Sequence, residues 1–347
     1  MSTHDRLVSH QGSAVLWHKK LYTFGVYGLV ISTLLSLFIG SESTWTENFY
    51  AFWAGPISSQ NTAIIMWWVR VPQILTALCA GAVLATSGAA MQNLMRNDLA
   101  DPYLIGIASG GGLGAALAIA SGLVDLLGLP SLALCSFLGA LCSSVWIDLK
   151  ARKLNGQQAS HDPALLVLTG VALNLFLSAL LTLTIALSGE RLGSIWRWLV
   201  GHIAVLNWYE LGILMGISLL SLRLLLSQSR ALELLANGPE VAWSLGLNVK
   251  KVRNLTLIAC SLGVGTVVSY CGIIGFIGLL IPHFLRPLLA GNSQQLLKFS
   301  MVFGAWSLLL CHLASMLFPL NIPIGVVTGV LGGGTFLITL QQQGVNR

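Results

Sequence analysis

Residues 96–114 read RNDLADPYLIGIASGGGLG, a charged turn followed at once by a run of small residues. Pro102 has the fixed φ that suits the first turn of a helix, and Asp101 before it can cap the free backbone N–H groups there. Glycines then recur every four residues, at Gly106, Gly110 and Gly114. On a helix they would share one face and let a neighbouring helix approach closely, as in a packed membrane bundle.

The composition points the same way, because the 347 residues are 55% hydrophobic and only 9% charged, with a mean hydropathy of +0.80. A transmembrane helix needs roughly 20 mostly apolar residues. About ten candidate spans meet that requirement, at 21–39, 71–92, 103–120, 130–149, 164–187, 208–226, 254–271, 272–289, 296–317 and 324–341. We therefore expect an all-α integral membrane protein. The seventh and eighth spans are contiguous, and only Gly272 and Gly275 interrupt them.

The positions of Lys and Arg predict the orientation, since cytoplasmic loops carry the excess of both. With the N-terminus inside, all but three of the 18 basic residues lie on the cytoplasmic side, and Arg70, Arg191 and Arg197 lie outside. We expect both termini in the cytoplasm, with residues 1–20 as a tail and 21–342 as one ten-helix domain. The net charge of +6 thus indicates topology and no nucleic-acid surface.

The ionisable groups separate the possible kinds of membrane protein. All twelve acids lie in loops or at span ends, whereas ion-coupled carriers usually keep a carboxylate near the midplane. This disfavours a secondary transporter, although a secondary transporter or channel stays the alternative function of another class. His283 and His312 lie within spans and are open to two interpretations, a hydrogen-bonded group inside the bundle or a proton relay. The six cysteines lie within or at the ends of apolar spans and indicate neither a disulfide nor a metal framework.

No nucleotide-binding or catalytic motif is present in the sequence. It lacks a phosphate-binding P-loop, so ATP-driven work would come from another chain. It also lacks a Gly-x-Ser-x-Gly elbow and metal-ligand spacing, which disfavours an integral enzyme. We expect no cofactor and no bound metal.

One cytoplasmic loop, 227–253, is long enough to carry structure of its own. Asn237 can cap a short helix at about 238–247, Pro239 suits its first turn, and Gly246 ends it. We expect Val241, Leu245 and Ala242 on one side. So short a helix would not persist in water without a partner surface. That surface is either the bundle and lipid headgroups or a cytoplasmic protein.

Several motifs, in order along the chain, resemble the FecCD-type permeases of binding-protein-dependent ABC importers. They are Arg70–Pro72, Arg96–Gly114, Glu240–Leu247, Gly272–Arg286 and Ile322–Thr328. The residues that carry the most specific signature are Asp101, Pro102, Gly275, Gly278, Pro282, His283 and Arg286.

The resemblance implies a type II ABC importer permease fold with two permease subunits above an ATPase dimer. It also implies a soluble or lipid-anchored substrate-binding protein and a place in the bacterial inner membrane. The cargo would be an iron-siderophore, or else haem, cobalamin or an oxyanion.

Site roles follow from the same resemblance. Glu240, Ala242, Leu245 and Gly246 would couple to the ATPase, and Arg70 would receive the binding protein. The fifth and tenth spans would line the path, so Asn174, Ser178 and Thr328 are candidate lining groups. Helix packing or hydrogen bonding to the preceding turn is the alternative for these three.

The sequence also departs from the family pattern. The departures are Asp98 for Pro, Gln73 for a frequent Arg, His202 for Ser, His312 for Asp, Met316 for Arg and Gly334 for Pro. Arg70 is then the only docking arginine that can be placed, and a different permease subunit could supply the missing charges. Asp98 adds a charge near the expected ATPase surface. The turn that contains Asp98 has two possible roles: it only caps a helix, or it also contacts the ATPase, the motor of the importer.

Overall fold

The computed structural model describes residues 3–38, 45–56, 61–155, 163–289, 292–317 and 322–345, and all regular structure in these ranges is helical. The α-helices are α1 (Thr3–Phe38), α2 (Trp45–Ala54), α3 (Asn61–Ile65), α4 (Val71–Met95), α5 (Ile107–Ala120), α6 (Leu123–Leu127), α7 (Leu129–Asn155), α8 (Pro163–Leu187), α9 (Leu192–Leu199), α10 (Trp208–Ser227), α11 (Ser229–Ala236), α12 (Pro239–Ser244), α13 (Val249–Cys271), α14 (Ile277–Leu288), α15 (Ser293–Leu317) and α16 (Ile324–Val345). A π-helical turn, Met66–Arg70, joins α3 to α4, and 3-10 turns at Pro102–Ile105 and Gly189–Arg191 precede α5 and α9.

Within those ranges, 7 helical stretches are long and apolar enough to cross a membrane. They are His18–Phe38, Asn61–Met95, Leu129–Ile147, Val167–Leu187, Trp208–Ser227, Val249–Cys271 and Ser293–Leu317. Shorter apolar helices at Ile107–Ala120, Ile277–Leu288 and Ile324–Ile338 coincide with the remaining predicted spans. The predicted all-α membrane fold is therefore confirmed, and the seven long and three shorter apolar helices are consistent with the predicted count of about ten spans.

Some elements begin earlier than predicted or were not predicted. Helix α1 starts at Thr3, so the expected tail 1–20 is helical over its described part and continuous with the first span. The connection between the first two predicted spans, 21–39 and 71–92, contains α2, and the loop 227–253 contains α11 ahead of the predicted short helix. These two helices have only 10 and 8 residues, so a hydropathy average over the length of a membrane span does not reveal them.

Helix α4 lies at the centre of the bundle and is buried along most of its length. It packs against α10, α13, α14 and α15. A Cβ added to Gly81 would overlap the carbonyl of Gly304 in α15, and one added to Gly88 would overlap the carbonyl of Gly278 in α14. Because lipid gives helices no hydrophobic reason to associate, such close backbone approaches are a main source of stability.

The glycines of the opening stretch bring α5 against α7, as predicted. A Cβ on Gly110 would meet the carbonyl of Gly139, and one on Gly114 would meet the carbonyl of Cys135. Gly106 is not inside the helix, however, because it takes a left-handed φ of 77° between the 3-10 turn and α5. Its carbonyl instead accepts a 2.7 Å hydrogen bond from Ser143 of α7.

The predicted break between the seventh and eighth spans is a non-helical connection from Gly272 to Phe276. Gly272 has a φ of 70° and Phe276 a φ of 69°. Gly201 and Gly325 approach the carbonyl of Ile273, and the Tyr103 hydroxyl donates to the carbonyl of Ile274 at 3.0 Å. The broken backbone is thus packed against protein, as irregular backbone at membrane depth must be.

Helix α8 is the most exposed of the seven long apolar spans within the described ranges, and α16 also exposes much of its apolar surface. Only 6% of the α8 window is buried, although its hydropathy of 2.1 is the highest of the spans. On α16 the exposed apolar side chains include Val326, Val330 and Leu331. These faces meet either lipid or another subunit.

Candidate functional site

Helix α12 lies in the loop between α10 and α13, and residues that favour sharp turns flank it on both sides. Gly238 before it has a φ of 118°, Pro239 occupies its first turn, and Gly246 after it has a φ of 78°. The Leu247 amide closes the end by donating to the carbonyl of Ala242 at 3.0 Å. The predicted helix therefore exists, over Pro239–Ser244, within the expected bounds of 238–247.

The division of the α12 side chains into buried and exposed differs from the prediction. Ala242 is fully buried, so it seats the helix on the bundle and is not on the face of Val241 and Leu245. Val241, Trp243 and Leu245 are exposed, at 45%, 69% and 62%. Glu240 and Gly246 are exposed as well. An apolar surface of this kind beside a carboxylate is suited to a protein partner.

Asn237 does not cap α12, which corrects the sequence prediction. Its side-chain amide donates at 3.0 Å to the carbonyl of Glu233, so it closes the end of α11. The residue that precedes α12 is Gly238, which has no side chain to cap with. Pro239 suits the first helical position, because the N–H it lacks would have no partner within the helix and its fixed φ is already helical.

Helix α11 connects this surface to the centre of the bundle. Its apolar side chains Leu232 and Leu235 are buried, and the helix packs against both α4 and α15. Helix α12 packs against α11 and α13. Packed side chains therefore connect α12 to the central helices.

The signature residues of the turn after α4 hold the start of α5. Asp101 accepts a 2.8 Å hydrogen bond from the Tyr103 amide, which confirms it as a helix-capping residue. Burial raises the pKa of Asp101 to about 6, although this hydrogen bond opposes the shift. Pro102 is buried beside it and lies near Gly278 of α14.

The signature residues of α14 shape its contact with α4. Pro282 has no N–H, so the carbonyl of Gly278 lacks its helical partner and faces Gly88 across the interface. The Gly275 carbonyl accepts a hydrogen bond from the Ile277 amide at 2.9 Å, which closes a three-residue turn directly before the helix. His283 lies edge-on to the ring of Phe336 on α16, with centroids 6.2 Å apart.

Arg286, the last signature residue, bridges α14 to the end of α4. Its guanidinium donates to the side-chain oxygens of Gln92 at 3.1 Å and Asn93 at 3.3 Å. Its Nε lies 3.0 Å from a carboxylate oxygen of Asp98. Sequence reasoning named both ends of this ion pair and did not pair them.

The three predicted path residues have different environments. Asn174 accepts a 2.6 Å hydrogen bond from Ser109 and donates to the Tyr103 carbonyl at 3.3 Å. Thr328 is buried and donates to the carbonyl of Gly325 in its own helix at 3.2 Å. Asn174 and Thr328 therefore make the contacts expected if these residues serve helix packing or bond to the preceding turn, which is the alternative to lining the path. Ser178 is exposed on α8.

At the opposite end of the bundle from α12, Arg70 is only 7% exposed and donates to the carbonyl of Leu37 at 3.4 Å. Its guanidinium is thus engaged within the chain, and its docking role stays a prediction. His312, which stands where the family pattern has Asp, is buried in α15.

A cavity of about 720 Å³ lies near the same end and was missed by sequence reasoning. Its polar lining includes Arg191, Arg197, His202 and Glu210. Arg191 lies 2.9 Å from Asp125, while Arg197 donates to the Ser194 hydroxyl at 3.4 Å. Burial lowers the pKa of His202, which favours its neutral form. The signal available from sequence was that Arg191 and Arg197 are two of the three basic residues predicted outside.

Comparison with known proteins places this geometry in a family. The FecCD transport family matches residues 28–342. A probable iron chelatin transport system permease protein of Helicobacter pylori (strain ATCC 700392 / 26695) is 34% identical over 92% of this chain and 97% of its own length. The vitamin B12 import system permease protein BtuC of Yersinia enterocolitica is 34% identical over 89% of both chains.

A solved structure described as an inward-facing conformation of a metal-chelate type ABC transporter superposes on this chain with a TM-score of 0.80. The two are 32% identical, and the match covers 93% of this chain and 99% of the other. Family, sequence relatives and fold therefore agree, and the chain belongs to the FecCD transport family, the membrane permeases of ABC transporters.

Proposed function

We propose that this chain is the permease subunit of an ATP-driven importer that brings an iron-siderophore or a similar metal chelate across the bacterial cytoplasmic membrane. The observation that carries the proposal is α12, a short helix with exposed Val241, Trp243 and Leu245, held on the bundle by a buried Ala242. A separate ATPase dimer would bind this surface and drive the bundle between its open states. The chain itself hydrolyses no ATP.

The remaining partners follow from the exposed faces. A second permease subunit, identical or different, would cover the apolar faces of α8 and α16, and lipid would cover the rest. A periplasmic or lipid-anchored binding protein would deliver the cargo to the end that holds the cavity with Arg191 and Arg197. Both termini and α12 would lie in the cytoplasm, as the distribution of basic residues predicts.

The relatives support a chelate as cargo, because their names specify an iron chelatin and vitamin B12. An iron-siderophore is the first choice, and haem, cobalamin and an oxyanion are the alternatives. The binding protein would make most of the discrimination, so this chain's own residues do not separate the four.

The test is uptake into proteoliposomes that contain this chain, its ATPase and its binding protein. With ATP on the ATPase side, we expect the ligand that the binding protein retains to accumulate, and a non-hydrolysable analogue to abolish accumulation. A panel of ferric siderophore, haem, cobalamin and molybdate identifies the cargo. Accumulation that continues without ATP would indicate a secondary transporter or channel and overturn the proposal.

A further inference from the structure

The turn between α4 and α5 makes contacts near both ends of α14. In the non-helical connection just before α14, the carbonyl of Ile274 accepts a hydrogen bond from the Tyr103 hydroxyl at 3.0 Å. In the last turn of α14, Arg286 Nε lies 3.0 Å from Asp98. Between them, the side-chain amide of Gln92 donates to the carbonyl of Leu279 at 3.1 Å. Helix α14 and the connection before it are therefore held at three points by α4 and the turn that follows α4.

Asp98 supplies the charge in the last of these contacts. The other acceptors of the Arg286 guanidinium are the neutral amides of Gln92 and Asn93. The Arg286 side chain is only 23% exposed, whereas Asp98 is 53% exposed. A partly buried arginine at the carboxyl end of α4 is thus neutralised from the solvent side by one carboxylate.

Helix α14 in turn touches α16 on its other side. A Cβ on Gly332 of α16 would meet Phe276 at 2.5 Å, and the rings of His283 and Phe336 are in edge contact. Packed contacts therefore run from α12 through α11 to α4, from α4 to α14, and from α14 to α16. The Arg286–Asp98 pair belongs to the α4–α14 step.

We propose that Asp98 is a positioning residue that holds Arg286 on the end of α4, so that α14 and α16 follow α4 when the motor displaces α12. The inference rests on the proposed function and deepens it. Without the Arg286–Asp98 ion pair, α14 does not follow the movement of α4. ATP is then hydrolysed without a matching import of cargo.

The geometry of the turn allows a variant that lacks the Asp98 carboxylate and keeps the turn. The Ala100 amide donates to the carbonyl of Asn97 at 3.0 Å, which makes Asn97–Ala100 a four-residue turn with Asp98 in its second position. Proline is favoured at that position. Asp98→Pro therefore suits the turn and removes the carboxylate, together with the backbone N–H of residue 98. Asp98→Asn removes the charge with no change of backbone, and Asp98→Glu retains it.

The experiment measures ATP hydrolysed per chelate imported in the proteoliposome system. Asp98→Pro and Asp98→Asn should raise this ratio about two- to fivefold, the scale expected for one partly exposed ion pair. Asp98→Glu should restore most of the coupling. Glu190→Gln, which removes an exposed carboxylate elsewhere, is the matched control and should leave the ratio unchanged.

A double-mutant cycle identifies the partner. If Asp98 acts through Arg286, Asp98→Asn has no further effect in an Arg286→Gln background. An equal effect in both backgrounds would mean that Asp98 touches the motor directly, and would overturn the inference. So would import and hydrolysis that fall together at a constant ratio, because that is the result of a purely structural role. If the unmodified complex shows no ATP-dependent import, the proposed function fails, and this inference fails with it.

Discussion

At the scale of single residues, the fold depends on positions where no side chain fits. Gly88 is one of these, because Pro282 leaves the carbonyl of Gly278 free to face it across the interface between α4 and α14. Gly216 on α10 is the opposite case, with open space where its Cβ would be. The same residue type thus has a packing role in one helix and none in the other.

Gly88→Ala should therefore destabilise the protein, while Gly216→Ala should not. The first substitution forces two backbones apart at a cost of about 1–3 kcal/mol or more. The second gains up to about 1 kcal/mol, because alanine is the better helix former. Thermal unfolding in detergent measures both. Equal melting temperatures for the two variants would contradict the close packing of α4 and α14.

The capping carboxylate Asp101 predicts a pH dependence of stability. Its folded pKa is raised from 3.8 to about 6 by burial. Between these values the folded state binds more protons than the unfolded state, so its contribution to stability is greatest below about pH 4 and is lost as the pH rises through about 6. Asparagine caps equally well and does not titrate.

Asp101→Asn should accordingly melt at the same temperature as the unmodified protein near pH 4 and at a higher temperature at pH 7. The gain at neutral pH is at most about 3 kcal/mol, at roughly 1.4 kcal/mol per pKa unit. Melting curves across that range measure the difference. A difference that is independent of pH would show that Asp101 is not held in a desolvated site.

At the scale of elements, α12 is the part that a partner would contact. Leu245→Asp should weaken association with the ATPase at least tenfold, since loss of a central apolar anchor typically costs about 2 kcal/mol. Leu126→Asp makes the same change on α6, where the leucine is 81% exposed, and serves as the control. Co-purification and light scattering measure assembly.

Both leucine variants should leave the melting temperature of the isolated permease unchanged, because neither side chain belongs to the core. If Leu245→Asp assembled with the ATPase as well as Leu126→Asp does, α12 would not be the contact surface.

Elements with a strong local signal could be predicted from the sequence. Residues within a few positions of the feature decide three of these: the cap formed by Asp101, the break at Gly272 and the end of α12 at Gly246. The amphipathic helices α9 and α11 lack the continuous apolar run that marks a span. The inward side of α12 could not be predicted either, because packing against α11 and α13 decides that Ala242 is buried.

The pairing of Asp98 with Arg286 shows the same limit more sharply. The two residues lie far apart in the chain and meet only because α14 turns back along α4. From the sequence, Asp98 was a departure from the family pattern with a charge near the motor. The partner of that charge is decided by tertiary packing, which no local pattern contains.

At the scale of the whole molecule, the distribution of basic residues predicts a definite orientation. In a background that lacks the six native cysteines, Ser244→Cys in α12 should resist a membrane-impermeant thiol reagent applied to intact cells. Glu190→Cys, in the turn before α9, should react. Permeabilised cells provide the control, in which both should react. Labelling of Ser244→Cys in intact cells would reverse the predicted topology.

The central claim concerns the source of energy for the whole bundle, and one measurement tests it most directly. Uptake of a radiolabelled ferric chelate is followed in proteoliposomes whose proton and sodium gradients have been collapsed with ionophores. The account predicts that ATP alone drives accumulation above the outside concentration, and that Leu245→Asp abolishes it. Accumulation that requires an ion gradient and proceeds without ATP would contradict the account.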